Sequence, residues 1–160
     1  MQKLLIALFL LVAAGLTTVA YHVINIDRIL FQKAEYSFSR KEYSKAISYF
    51  NDALERGAGE PQILLHLAES YLAAGRLEDS RLLYERLLRE QPDNPSIVFT
   101  LADIYSQSGR FDDAVLLYRG ILRKDINNRT TRIQLARVLV WSGHFQEAIE
   151  AYKKALGEAT

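Results

Sequence analysis

The side chains best suited to chemistry in this sequence are three histidines and two acidic pairs. His22, His66 and His144 lie far apart, and neither His66 nor His144 has a Cys, His or carboxylate at metal-ligand spacing. Glu78-Asp79 and Asp112-Asp113 fall where helices are predicted to begin, where acidic residues favour the positive end of the helix. We therefore expect no catalytic residues, no metal site and no cofactor.

The composition narrows the function classes further. The 160 residues contain no Cys, which excludes disulfides, thiolate metal sites and a lipid anchor on a cysteine. The 20 Lys and Arg nearly balance the 19 Asp and Glu, so no net field attracts nucleic-acid phosphates. The sequence also has no Gly-rich phosphate loop and no His-Glu-x-x-His motif. These features indicate a binding protein rather than an enzyme.

The N-terminal stretch from Leu4 to Ile26 carries no formal charge. A helix of this length would measure roughly 34 Å, enough to cross a hydrocarbon core of about 30 Å. We predict residues 1–26 to be a transmembrane signal anchor. A signal peptide cleaved near Ala20 is the alternative, because its short charged start and apolar core look the same.

The charges that flank this stretch bear on its orientation. Lys3 and the free amine precede it, whereas five cations follow within about 20 residues: Arg28, Lys33, Arg40, Lys41 and Lys45. Taken literally, the positive-inside rule would keep the following domain in the cytoplasm, but long domains translocate largely regardless of charge. We expect a single-pass protein of the bacterial inner membrane with its domain in the periplasm. The cytoplasmic side remains the alternative.

A period of 34 residues runs through the rest of the chain. Gly75, Gly109 and Gly143 are spaced by this period, and one step back falls on Lys41. It divides the chain into units 27–60, 61–94, 95–128 and 129–160. Small residues recur at place eight (Ala34, Ala68, Ala102, Ala136) and place twenty (Ala46, Ser80, Ala114, Ala148), and aromatic residues recur at place twenty-four (Phe50, Tyr84, Tyr118, Tyr152). Each unit reads as a helix, a short turn and a second helix.

Residues 27–160 resemble the tetratricopeptide repeat (TPR) family. Unit 61–94 carries the resemblance best, through Leu67-Ala68, Tyr71, Gly75, Tyr84, Leu87-Leu88 and Pro92-Asp93-Asn94. The resemblance implies an all-α solenoid of four helix-turn-helix units, preceded here by the transmembrane helix. It also implies a right-handed superhelix with a concave groove.

The resemblance further implies that the first helix of each unit lines the groove. The candidate partner-binding residues are Phe31, Glu35, Leu65, His66, Glu69, Phe99, Asp103, Arg137 and Trp141. The ninth residue of each unit is an acid in the first three units and a base in the fourth (Glu35, Glu69, Asp103, Arg137). The positions that line the groove lack the cations and Asn that form a carboxylate clamp in some TPR domains. We therefore expect a protein partner, bound as a peptide or helix with apolar anchors and basic residues.

Two features at the ends of the domain add further expectations. No Pro or Gly lies between Leu16 and Arg56, so the leader either continues into the first repeat helix, ending near Ser39, or bends near Asn25–Asp27. No capping helix follows the last predicted helix, Phe145 to Leu156. Its outer flank is therefore either polar enough to face water or covered by a partner or by a second copy of the chain.

These observations predict a membrane-anchored scaffold or adaptor that binds a segment of a partner protein, within an envelope assembly or export system. The alternatives are an accessory subunit of a larger membrane complex and a soluble exported chaperone or adaptor released by signal cleavage.

Overall fold

The computed structural model describes residues 2–56 and 61–157, and within them every regular element is an α-helix. The described helices are α1 Gln2–Ser39, α2 Tyr43–Glu55, α3 Pro61–Ala73, α4 Leu77–Glu90, α5 Pro95–Gln107, α6 Phe111–Lys124, α7 Arg129–Trp141 and α8 Phe145–Leu156. The predicted all-α class is confirmed, and α8 has the bounds expected from the sequence.

Helix α1 runs without interruption from Gln2 to Ser39. The leader therefore continues into the first repeat helix, and the helix does not end near Asn25–Asp27. Within the part of the chain that the structure describes, no helix combines the length and apolar character needed to cross a bilayer. The predicted transmembrane span over residues 1–26 is thus not supported.

The turns inside the repeats share one backbone conformation. Gly75, Gly109 and Gly143 have φ of +74°, +74° and +80°, and Lys41 occupies the same place with φ of +61°. The residue after each of them donates its N–H to a carbonyl five residues earlier, at 2.8–2.9 Å. This left-handed C-terminal cap ends the first helix of each pair, which is why the place favours glycine.

Asparagine side chains cap the N-termini of α5 and α7, each of which is the first helix of its repeat. The Asn94 side chain accepts from the Ser96 N–H at 3.1 Å, and Pro95 supplies a favourable first helical residue. The Asn128 side chain accepts from the Thr131 N–H at 3.0 Å and starts α7 in the same way.

The chain divides into two compact units, Met1–Ser70 and Tyr71–Thr160. The first contains α1, α2 and most of α3, and its core is formed by Ala34, Ala46, Phe50, Ala53 and Ala68, all fully buried. The second contains α4 to α8, and its core includes Leu87, Leu101, Ala102, Ala114, Tyr118, Ala136 and Ala148.

The predicted recurrence of small and aromatic residues therefore marks the core. Alanine at place eight lets neighbouring helices approach closely, and the larger residues at place twenty-four fill the remaining space. Each fully buried large side chain contributes about 1.5–3 kcal/mol.

Candidate partner-binding surface

In the unit Met1–Ser70, the rings of Phe31, Phe50 and His66 come from three helices and pack together. The imidazole stacks on Phe50 with centroids 6.0 Å apart, and Phe31 meets it edge-on at 5.7 Å. Phe31 also meets Phe50 edge-on at 5.9 Å. Phe31, predicted as an anchor for the partner, is therefore half-buried against its own unit. Leu65 on α3, another predicted site residue, is also half-buried.

Two predicted groove acids face the same imidazole. Nδ1 of His66 lies 3.3 Å from a carboxylate oxygen of Glu35 and 3.5 Å from one of Glu69. The sequence-based statement that His66 has no carboxylate at ligand spacing was wrong, because Glu69 is one helical turn away and the fold brings Glu35 from α1. In the described ranges 2–56 and 61–157, no group of three or more His, Cys, Asp or Glu side chains could hold a metal ion.

The chemistry of this cluster depends on the charge of His66. A protonated imidazole forms ion pairs with both acids, while a neutral one offers a single donor or acceptor at Nδ1. With a protonated imidazole, Glu35 and Glu69 are both paired within their own unit.

In the unit Tyr71–Thr160, the third acid of the row is also engaged. Asp103 on α5 accepts the hydroxyl hydrogen of Tyr118 on α6. Burial, reinforced by this bond to Asp103, raises the pKa of Tyr118 well above its ordinary value, so the phenol stays a donor. Phe99 meets the Tyr118 ring edge-on at 5.8 Å. Asp103 and Phe99 thus help to join α5 to α6.

Arg137 and Trp141 form the most exposed part of the predicted set. The Arg137 guanidinium lies over the indole of Trp141, 5.1 Å from its centroid, and also donates to Gln134 at 3.0 Å. Trp141 is 51% exposed and also makes a tilted ring contact with Phe111, with centroids 6.4 Å apart. The neighbouring Val140 is 40% exposed. An exposed indole held in place by a cation is a typical anchor for a protein partner.

A cavity of about 410 Å³ opens between the N-terminal ends of α5 and α7 and the C-terminal half of α6. Its wall includes the hydroxyl side chains of Ser96, Thr100, Thr130 and Thr131 and the apolar side chains of Phe99 and Ile121. Of these, only Phe99 was among the predicted site residues. The 34-residue register places Ser96, Thr100 and Thr130 at groove positions of the repeat, whereas nothing in the sequence indicates Thr131, because a hydroxyl carries no charge and belongs to no motif here.

Three family models match the chain. Two described as Tetratricopeptide repeat match residues 65–129 and 105–160, and one described as Tetratrico peptide repeat matches residues 27–96. Together the matches cover residues 27–160, the part that the sequence period had divided into four units. A search of curated proteins gives no significant match.

Solved structures agree with this assignment. MamA of strain MSR-1 is 27% identical with a TM-score of 0.68, and the alignment covers 83% of this chain and 76% of that chain. MamA of strain AMB-1 is 28% identical with a TM-score of 0.69, covering 82% of this chain and 72% of that one. MamA from Desulfovibrio magneticus RS-1 shares the fold, with 14% identity, a TM-score of 0.76 and coverage of 86% and 78%.

The repeat period, the left-handed turns, the buried alanines and these matches all lead to the same assignment. The chain belongs to the tetratricopeptide repeat family.

Proposed function

We propose that this chain is a scaffold that binds a segment of a partner protein, without catalysis. The observation that carries the proposal is the exposed pair Arg137 and Trp141 on α7, next to the exposed Val140. Large apolar side chains that remain exposed beside a positioned charge are typical of binding hot spots. Proteins of this repeat family bind protein partners on surfaces formed by such helices.

The internal contacts of the acids change the expected chemistry of the partner. Asp103 is bonded to Tyr118, and Glu35 and Glu69 face His66. A basic partner would have to compete with these contacts. We therefore propose that apolar anchoring at Trp141 contributes more to affinity than the row of acids does.

Affinity capture after cross-linking in the native host tests whether Trp141 contributes more to partner affinity than the acids do. We expect Trp141→Ala to lower recovery of a stoichiometric partner by roughly tenfold or more, the loss typical of a hot-spot residue. Leu116→Ala is the matched control, because Leu116 on α6 is 62% exposed but lies away from the predicted groove places. Equal recovery of the same partner with wild type and Trp141→Ala would refute the proposal.

The Glu69→Lys/Asp103→Lys double variant separates the two sources of affinity. If apolar anchoring dominates, this variant retains more partner than Trp141→Ala does. A complete loss with the double variant, in protein whose unfolding midpoint matches that of the wild type, and no loss with Trp141→Ala would instead assign recognition to the acids.

Attachment to the bacterial inner membrane, a periplasmic domain and a role in envelope assembly or export are separate proposals that rest on the leader sequence alone. Membrane fractionation and the N-terminal mass of the native protein test them. An intact leader in the membrane fraction supports an anchor. A mass that begins after Ala20 supports the exported adaptor, and stable co-purifying subunits in mild detergent support a place in a larger complex.

A further inference from the structure

Helix α8 exposes a flank that the preceding repeats cover. Phe145, Ile149 and Leu156, at places 17, 21 and 28 of the fourth repeat, lie on one side of α8 and are 49–65% exposed. The residues at the same places of α4 and α6 are half-buried, and there α5 packs on α4 and α7 packs on α6. The α8 flank is therefore the kind of surface on which the first helix of another repeat packs.

Helix α1 exposes the matching surface of a first helix. In α5 and α7, places 3, 7 and 10 are buried where each helix packs on the one before it, and they hold Ile97, Leu101, Ile104, Thr131, Leu135 and Val138. In α1 these places hold Ile29, Lys33 and Tyr36, of which Ile29 is half-buried and the other two are exposed. The Lys33 ammonium lies over the Tyr49 ring of α2, 5.8 Å from its centroid, which leaves the carbon chain of Lys33 to pack against a neighbour.

Charged side chains accompany the packing of the third repeat on the second. Glu85, at place 25 of α4, lies 4.0 Å from Arg110, at place 16 of the next repeat. Arg110 also pairs with Asp113, at place 19 of its own repeat, at 2.7 Å. The contact between these repeats therefore carries an acid on the second helix, opposite a base and an acid on the following repeat.

The two end repeats carry the same arrangement with every sign reversed. Place 25 of α8 is Lys153, whereas places 16 and 19 of the first repeat are Glu42 and Lys45. Glu42 and Lys45 pair at 2.7 Å, as their counterparts Arg110 and Asp113 do. A base on α8 thus matches an acid at the end of α1, so the charges at the two ends are complementary.

We propose that copies of this chain associate head to tail, with the α8 flank of one copy packed on the Ile29–Tyr36 face of the next in the manner of two successive repeats. A second copy is the occupant because its first repeat offers both the apolar face and the acid that α8 requires. Each bound copy keeps one free end, so the association extends beyond two copies. This assembly goes beyond the proposed scaffold function and does not depend on the partner segment.

Sedimentation of the full chain in density-matched mild detergent tests the proposal. From micromolar to submillimolar concentration, we expect a reversible series of species that grows past the dimer. An unchanged single protomer at the highest concentration would overturn the proposal. So would growth that stops at two copies, because a two-fold contact joins identical surfaces.

Charge reversal tests the order of the two surfaces. Lys153→Glu should weaken association roughly threefold to tenfold, because attraction to Glu42 becomes repulsion. Glu42→Arg/Lys45→Asp should do the same while it keeps the local ion pair of the first repeat. The triple variant combines all three changes, reproduces the charges of the contact between the second and third repeats, and should restore association.

Lys154→Glu is the matched control for charge, because it makes the same change one residue further on, about 100° around α8. A loss with Lys154→Glu equal to that with Lys153→Glu, or a triple variant as weak as its parents, would refute the head-to-tail pairing.

The apolar part of the contact has its own test. Ile149→Arg should weaken association by roughly tenfold or more, since it places a charge in the apolar flank. Leu116→Arg on α6 is the control, because Leu116 is also exposed but does not belong to the proposed contact. Equal effects of the two changes, in variants whose unfolding midpoints match the wild type, would refute the role of the α8 flank. Capture of a partner through Trp141 is measured separately, so failure of either proposal leaves the other to its own experiment.

Discussion

At the scale of single residues, neighbours decide what the predicted site residues do. The 34-residue period of the sequence places Glu35, Glu69 and Asp103 at one repeat position. It could not show that His66 faces the first two and Tyr118 bonds the third, because those contacts depend on side-chain directions across helices. Spacing along a chain determines which residues share a face, but pairing between helices requires the packed fold.

The Tyr118 hydroxyl provides a prediction at this scale. Tyr118→Phe should lower the free energy of unfolding by about 1–2 kcal/mol, because Asp103 loses a donor while the ring remains packed. Urea unfolding measures the loss. Tyr152→Phe is the matched control at the same repeat place, where the side chain is half-buried. An equal effect of the two substitutions would contradict the structural role of the Asp103 bond.

At the scale of elements, the turns were the most predictable part of the fold. The 34-residue step identified Lys41 as the counterpart of the three glycines, and its φ of +61° shows that the backbone follows the register even where the residue type departs from it. The repeat geometry, set by the packing of buried alanines, evidently outweighs the local preference of a lysine.

Lys41→Gly should therefore stabilise the protein by about 1 kcal/mol, since glycine adopts a positive φ without the steric cost that a β-carbon brings. Thermal or urea unfolding gives the difference. Lys45→Gly is the control, because the same change inside α2 should destabilise by a similar amount. Destabilisation by Lys41→Gly would mean that contacts of the lysine side chain matter more than its backbone conformation.

The contact between α4 and α5 predicts a pH dependence. Burial acts to raise the pKa of Glu85, but the hydrogen bonds from Tyr105, at 2.7 Å, and from Arg81 outweigh it and lower the pKa below the ordinary value of 4.5. A lowered folded-state pKa contributes stability above the unfolded-state pKa, and this contribution disappears as the pH falls through the folded value.

Glu85→Gln should thus be less stable than wild type at pH 7, by about 1–2 kcal/mol, and the difference should shrink as the pH falls through the lowered folded-state pKa of Glu85. Unfolding midpoints across this range test the prediction. Glu90→Gln serves as the control, since its exposed pair with Arg86 should contribute only a few tenths of a kcal/mol. A constant difference between wild type and Glu85→Gln at every pH would remove the carboxylate from the explanation.

At the scale of the whole molecule, the sequence predicted the family and the order of the helices, because a repeat multiplies weak local signals four times. It did not predict the cavity at the starts of α5 and α7. Hydroxyl side chains such as Thr100 and Thr131 are common on helices, and only the packing of three helices turns them into one surface. The leader was interpreted as a membrane span on apolar length alone, and the structure gives that interpretation no support.

The balanced charge of the chain gives a prediction for the molecule as a whole. With a formal net charge of +1, it should show no saturable binding to duplex DNA or RNA at about 0.15 M salt. Fluorescence anisotropy with labelled duplexes measures this, and Asp112→Lys/Asp113→Lys provides a more basic comparison. Saturable binding by the wild type, weakening steeply with added salt, would show that a local basic surface outweighs the net balance.

The position of Asn128 affects how the protein should be produced. Asn128-Arg129-Thr130 is an acceptor sequence for N-linked sugars, and the same asparagine caps α7 at the rim of the cavity. A yeast or mammalian secretion system would add a glycan there, displacing the cap and obstructing the opening. Preparations from a host without this modification are therefore the appropriate material for ligand studies.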